Sequence, residues 1–262
     1  MLEEICKKGD LIQLQHEFEQ KHNSFSKERV FYTACKFGHL HIAKWLFEKN
    51  PTIQFTSEDD DAFYYACMNG HLPIAKWLFE INPNTQFVFE DDDIFSCACI
   101  NGHLEVAKWI LEINPDLDIS DMIEYTFREC CINNHVDVVK WLIEIYPDID
   151  NFVGGVIENV CEKGYINIAN LLFEIKPNIH ISNELFHMTC SNGHLHVAKL
   201  LYDKCPNISI EIYNKHAKHI AFVNAFHNKH LDVAQWLQNI RPDLYQFTYT
   251  DCGNIVDYTI LE

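Results

Sequence analysis

The chain has 262 residues, 48% of them apolar, and a formal net charge of −18. That composition supports a sizeable core and excludes a disordered or fibrous chain. So acidic a surface repels phosphate backbones, which argues against nucleic acid as a partner and in favour of basic proteins.

The opening stretch MLEEICKKGDLIQ carries acids and lysines where a secretory signal needs an unbroken apolar run. No later segment reaches membrane-spanning length. The expectation is a soluble, intracellular, cytoplasmic protein with no membrane partner. Its eleven cysteines, none in CxxC spacing, are then expected to be reduced thiols.

Self-similarity dominates the chain. The phrase CMNGHLPIAKWLFEINP at 67–83 returns as CINGHLEVAKWILEINP at 99–115. Aligned on the Gly of NGHL, anchors fall at Gly9, Gly38, Gly70, Gly102, Asn134, Gly164, Gly193 and Lys229. Seven of the eight prolines lie thirteen residues after an anchor, and all five tryptophans lie seven after one. Seven cysteines, Cys6, Cys35, Cys67, Cys99, Cys131, Cys161 and Cys190, lie three before. One supersecondary unit has therefore been copied about eight times over a single domain, 1–262.

The first copy, 1–24, reads as an N-terminal cap: its second helix puts His16 where other copies have Trp and Glu17 where they have Leu. In the following copies, apolar residues at −7, −4 and −3 from the anchor predict a short first helix, as in Phe63, Ala66 and Cys67. After the anchor, Leu104, Val106, Ala107, Trp109, Ile110 and Leu111 alternate with Glu105, Lys108 and Glu112. This spacing predicts a second helix with one narrow polar stripe.

The anchor glycine suits the left-handed residue that ends the first helix, and the Pro at +13 stops the second. The acidic runs SEDDD (57–61) and EDDD (90–93) fall where the next first helix begins; Ser57 is a candidate cap there, and carboxylates favour a helix N-terminus. Asn134 adopts a positive φ at modest strain and Lys229 less easily, so the eighth copy is expected to be the most irregular. It also follows a 36-residue gap holding a basic, His-rich island at 214–230. The tail 243–262 is expected to close the array as a C-terminal cap, with YTDCGNIVDYTILE supplying a last partial helix.

Helix pairs this small cannot bury enough surface alone, so they are expected to stack into an all-α solenoid of about eight helix-turn-helix units. The phrase ACxxGHLxxAKWLxE resembles the ankyrin repeat, with Cys in place of the second Ala of that family's pattern and Trp in place of a Leu. Ile53, Ile149 and Ile179, each two residues after the Pro, match a Val of the family pattern. The Thr-Pro-Leu-His opening and the hairpin glycines are missing, so β-hairpin fingers are expected to be reduced or absent. The Cys-, Trp- and Asn-Pro-rich variant is similar to arrays encoded by giant DNA viruses of the mimivirus group. The resemblance implies a non-enzymatic protein-interaction module, in that setting a viral adaptor acting in host cytoplasm.

Chemistry has little foothold. No P-loop, Gly-x-Ser-x-Gly, His-Glu-x-x-His or Gly-x-Gly-x-x-Gly occurs, so neither an enzyme nor a cofactor is expected. The Cys-x3-His pairs, such as Cys67/His71, supply at most two ligands each, short of a closed zinc site. Cys is read instead as a small buried hydrophobe, and His as a group satisfying backbone at the turn. The alternative is a ligand- or metal-binding protein using the island, through His216/His219 and His227/His230.

The resemblance implies that partners bind across the loops and the outer side of the first helices, chiefly at the two positions before the anchor. In mid-array these are Met68 and Asn69, Ile100 and Asn101, Ile132 and Asn133, with Tyr64 and Tyr65 beside them. The loop acids Glu58, Asp60, Glu90 and Asp92 would rim that strip. A protein partner with an apolar centre and basic edges is expected.

Overall fold

A computed structural model of the chain describes residues 2–20, 26–53, 62–82, 88–89, 92–214 and 217–261. Among these residues, sixteen α-helices run as eight consecutive pairs, one pair per anchor. They are α1 (Leu2–Lys7) with α2 (Leu11–Gln20), α3 (Lys27–Lys36) with α4 (Leu40–Lys49), α5 (Ala62–Met68) with α6 (Leu72–Ile81), and α7 (Ile94–Ile100) with α8 (Leu104–Ile113). There follow α9 (Ile123–Ile132) with α10 (Val136–Ile145), α11 (Ile157–Glu162) with α12 (Ile166–Ile175), α13 (Asn183–Ser191) with α14 (Leu195–Lys204), and α15 (Ile220–His227) with α16 (Leu231–Ile240). The chain forms two compact units, 1–142 and 143–262, the division falling within α10. In the first, the first helices pack in succession, α1 on α3, α5, α7 and α9; in the second, α11 packs on α13 and α13 on α15.

Every second helix begins two residues after its anchor and ends eleven after it. The turn before it is the same in all eight copies. The anchor residue has φ between 62° (Asn134) and 83° (Gly38), Lys229 included at 68°. In repeat 4 the Gly102 amide donates to the Cys99 carbonyl at 2.9 Å and the His103 amide to the Ala98 carbonyl at 2.8 Å. Together these bonds close a Schellman motif and satisfy the last carbonyls of the first helix. The eighth turn keeps this geometry, while the irregularity of the eighth copy lies before its first helix, in the bulged strand pair of Ile212–Asn214 with Ala217–Lys218 and in His219 at φ 59°. Lys229 donates to Phe226 at 2.9 Å and His230 to Ala225 at 2.8 Å, because those two bonds offset the strain of a side chain at positive φ.

The core follows the repeat. Phe63, Ala66, Cys67, Ala75 and Leu78 are fully buried, and so are all seven in-register cysteines. All eleven thiols are free. Burial pushes Cys6, Cys130 and Cys161 up to about 12, which keeps them as inert packing groups. In the first unit each Trp enters a notch left by the previous repeat. Trp77 meets Phe31 and Phe47 with ring centroids 6.1 and 5.7 Å away, and Trp109 meets Phe63 and Phe79 at 6.2 and 5.8 Å. The near-perpendicular Phe79–Trp109 pair has the edge-to-face geometry that aromatic quadrupoles favour.

In the N-terminal pair Leu14 is fully buried while His16 is exposed. Elements between repeats are slight. Two short antiparallel pairs, β1 (Val88–Phe89) with β2 (Asp92–Asp93) and β3 (Ile212–Asn214) with β4 (Ala217–Lys218), stand where fingers would be. A 3-10 stretch, Pro147–Gly155, precedes α11.

The tail is not the partial helix the sequence suggested. It forms a hairpin, β5 (Tyr245–Tyr249) with β6 (Ile255–Ile260), turning through Gly253 at φ 83°. Tyr245, Phe247, Tyr258 and Ile260 share one face of the hairpin by register, the period-2 pattern of a half-buried sheet. Tyr245 stacks on Phe222 with centroids 4.0 Å apart, and Tyr258 meets Phe226 at 4.8 Å. These rings cover the aromatic surface of the last first helix.

Candidate protein-interaction surface

Several turn histidines bind a backbone carbonyl of the preceding repeat. His39 Nε2 lies 2.9 Å from the Lys7 carbonyl, His71 Nε2 3.0 Å from that of Lys36, and His194 Nε2 2.8 Å from that of Glu162. Each carbonyl belongs to the residue two before an anchor, a helix-end acceptor with no partner in its own helix. The same imidazole covers the preceding anchor: a Cβ added to Gly9, Gly38, Gly70, Gly102, Gly164 or Gly193 would approach the next repeat's His ring closer than 3.0 Å. Burial holds the His71 and His103 imidazoles below their ordinary range, and neighbouring histidines of the same column add to the effect.

The asparagines before the anchors divide between two tasks. Asn69 and Asn101 donate to carbonyls of their own helices, Tyr65 and Cys97, each at 2.8 Å. Asn133 reaches back to the Ile100 carbonyl at 3.4 Å, and Asn228 to that of Ser191 at 2.8 Å. Their side chains remain exposed. Met68, Ile100 and Ile132 are half-buried, on consecutive first helices of the first unit.

Tyr64 is buried, with its hydroxyl 3.5 Å from Cys97 Sγ. Tyr65 is half-buried against Tyr32, ring centroids 5.1 Å apart, and Lys36 Nζ lies 4.3 Å from its ring centre. Ser57, Glu58, Asp60 and Glu90 lie outside the described residues. Asp92 pairs with Phe89 in the first short ladder. Its neighbour Asp93 caps α7 by accepting from the Ser96 amide at 3.0 Å, and partial burial raises its carboxyl above the usual range.

In the histidine island, His216 lies outside the described residues. His219 Nδ1 is 3.0 Å from the Tyr245 hydroxyl, His227 faces the Tyr258 ring at 5.9 Å, and His230 covers Gly193. Each imidazole thus meets a different neighbour. Among the described residues, no three His, Cys, Asp or Glu side chains gather where a metal ion could be held, and no helix is long and apolar enough to cross a membrane.

Sequence reasoning missed a second feature. In the second unit, α11, α13 and α15 line a cleft of about 540 Å³. The bulky exposed Met188 lies in it, and the sequence signal was only an apolar residue five before an anchor, off the core register.

Paired helices joined by identical left-handed turns and stacked on their neighbours define a helical repeat protein. Residues 2–87 match ankyrin repeats (3 copies) and residues 95–143 match ankyrin repeats (many copies), together just over half of the chain. The chain belongs to the ankyrin-repeat family. Among solved structures 86 chains match. One is the human ASB11 ankyrin repeat domain, 20% identical over 69% of this chain and 86% of that one, with a TM-score of 0.50, a likeness in fold alone. No curated protein matches the chain. Ankyrin repeats are protein-interaction scaffolds, so a protein partner follows from the family.

Proposed function

We propose that this protein is a non-enzymatic adaptor that captures a protein partner on the first-helix side of its first unit. The observation that carries this is the common register of Met68, Ile100 and Ile132. Three consecutive repeats keep an apolar side chain half-exposed at one position, with an exposed Asn beside each. Such a strip gives an interface an apolar centre, and the Asn amides give it a polar rim. The acids Glu58, Asp60, Glu90 and Asp92, which precede the first helices in sequence, are taken to select basic edges on the partner. We take the array as one repeat domain over 1–262 with its hairpin as the C-terminal cap. The Cys- and Trp-rich phrase favours an origin in the giant-virus group and a partner in host cytoplasm.

The test is capture from amoebal lysate by the wild-type chain and by a Met68→Asp/Ile100→Asp variant, with circular dichroism checking the fold of both. The expected result is a retained protein that the folded variant loses. Retention of the same protein by the variant rejects the strip.

A further inference from the structure

The cleft of the second unit has a chemistry distinct from the strip. Its floor comes from α13: Leu185 is buried, Met188 is 37% exposed, and Ile220 of α15 is half-buried beside them. Exposed Glu158 of α11 and Glu184 of α13 line it on the acidic side, together with Ser182, Ser191 and the exposed Asn224 of α15. No Lys or Arg lines it, and among the described residues neither carboxylate forms an ion pair. His187 is also in the lining, but it is spoken for. It is 1% exposed, its Nε2 lies 2.8 Å from the Ser209 carbonyl, and burial lowers its basicity.

We infer that this cleft is a second docking site, which takes an extended segment of a protein partner through one arginine or lysine flanked by an apolar residue. A long basic side chain has the two-part character the lining demands. Its methylene stem packs on apolar surface while its charged head stays among polar groups. Met adapts its shape to such a stem, and two carboxylates without a cation give the head its complement. The chain's net charge of −18 draws basic segments toward it at long range. This inference stands apart from the strip of the first unit, and its test reads the two sites separately.

The chain has four methionines, so protein labelled at the methionine methyls gives few signals, with that of Met188 assigned by Met188→Leu and that of Met68 by Met68→Leu. The probes are two capped peptides, Gly-Leu-Arg-Leu-Gly and Gly-Leu-Gln-Leu-Gly, titrated to millimolar concentration. The expected result is a saturable shift of the Met188 signal with the Arg peptide, at least tenfold weaker with the Gln peptide. The same weakening is expected in a Glu158→Gln/Glu184→Gln variant, and the affinity should fall as salt rises from 50 to 300 mM. The Met68 signal should stay in place. Equal response to both peptides, full binding by the folded double variant, movement of Met68 alone, or no shift would each overturn the inference. None of these outcomes bears on capture by the first unit except movement of Met68.

Discussion

The turn at Gly102 and the turn at Lys229 have nearly the same backbone, φ 80° and 68°, and the same two closing bonds. One has no room for a Cβ and the other holds a full lysine. The difference lies next door. His135 of the following repeat lies where a Gly102 Cβ would reach, whereas the pair holding Lys229 is followed by the β5–β6 hairpin and Lys229 is exposed. The glycine of the repeat is thus demanded by its neighbour's imidazole as much as by its own dihedral angle.

What stands in the neighbour's place can be tested first. Phe95 meets Trp141 of the next repeat at 6.0 Å, and Phe222 meets Tyr245 of the hairpin instead. Tyr245→Ala should cost about 3–5 kcal/mol in urea unfolding, the range for truncating a buried aromatic, and Trp141→Ala, at a half-buried side chain, somewhat less. A hairpin that merely rests on the end would make the Tyr245 change nearly silent.

The turn comparison itself is sharpened by Gly102→Ala. Left-handed strain of about 1–2 kcal/mol adds to overpacking of about 1–3 kcal/mol against His135. Adding His135→Ala should recover the overpacking part and leave the strain, so the double variant is expected to be more stable than Gly102→Ala alone. At Lys229 the sign reverses: Lys229→Gly should raise the unfolding free energy in urea by about 1 kcal/mol, because it relieves strain at an exposed position.

The smallest effect is in pH. His71 and His103 titrate below their unfolded value of 6.5, chiefly through burial, so the unfolded chain binds protons first. Their contribution is complete above pH 6.5 and is lost as pH falls below it. Wild-type stability should therefore drop between pH 7 and 5 more steeply than that of a His71→Gln/His103→Gln variant, measured by urea midpoints. Parallel curves would mean that the column does not sense protons.

Much of this architecture was legible in the residues. The eight helix pairs, the limits of the second helix and the burial of Cys at −3 all follow from short-range register, whereas the turn His satisfies backbone of the preceding repeat rather than of its own turn. The tail alternates as YQFTY and IVDYTI, the period of strands rather than of the partial helix expected there. The strip was only partly legible: Met68, Ile100 and Ile132 lie at the expected positions, but the burial of Tyr64 depends on the packing of α7.

The sequence by itself determined the repeat, its phase and therefore the stacked helix pairs, because helix periodicity and a left-handed turn are local properties written within about thirty residues. Tertiary structure alone decided why glycine is demanded where the next imidazole closes over the anchor, how the last aromatic surface is covered, and where α11, α13 and α15 leave a cleft. Each of these depends on side chains from different copies meeting in space, and no single copy carries that information.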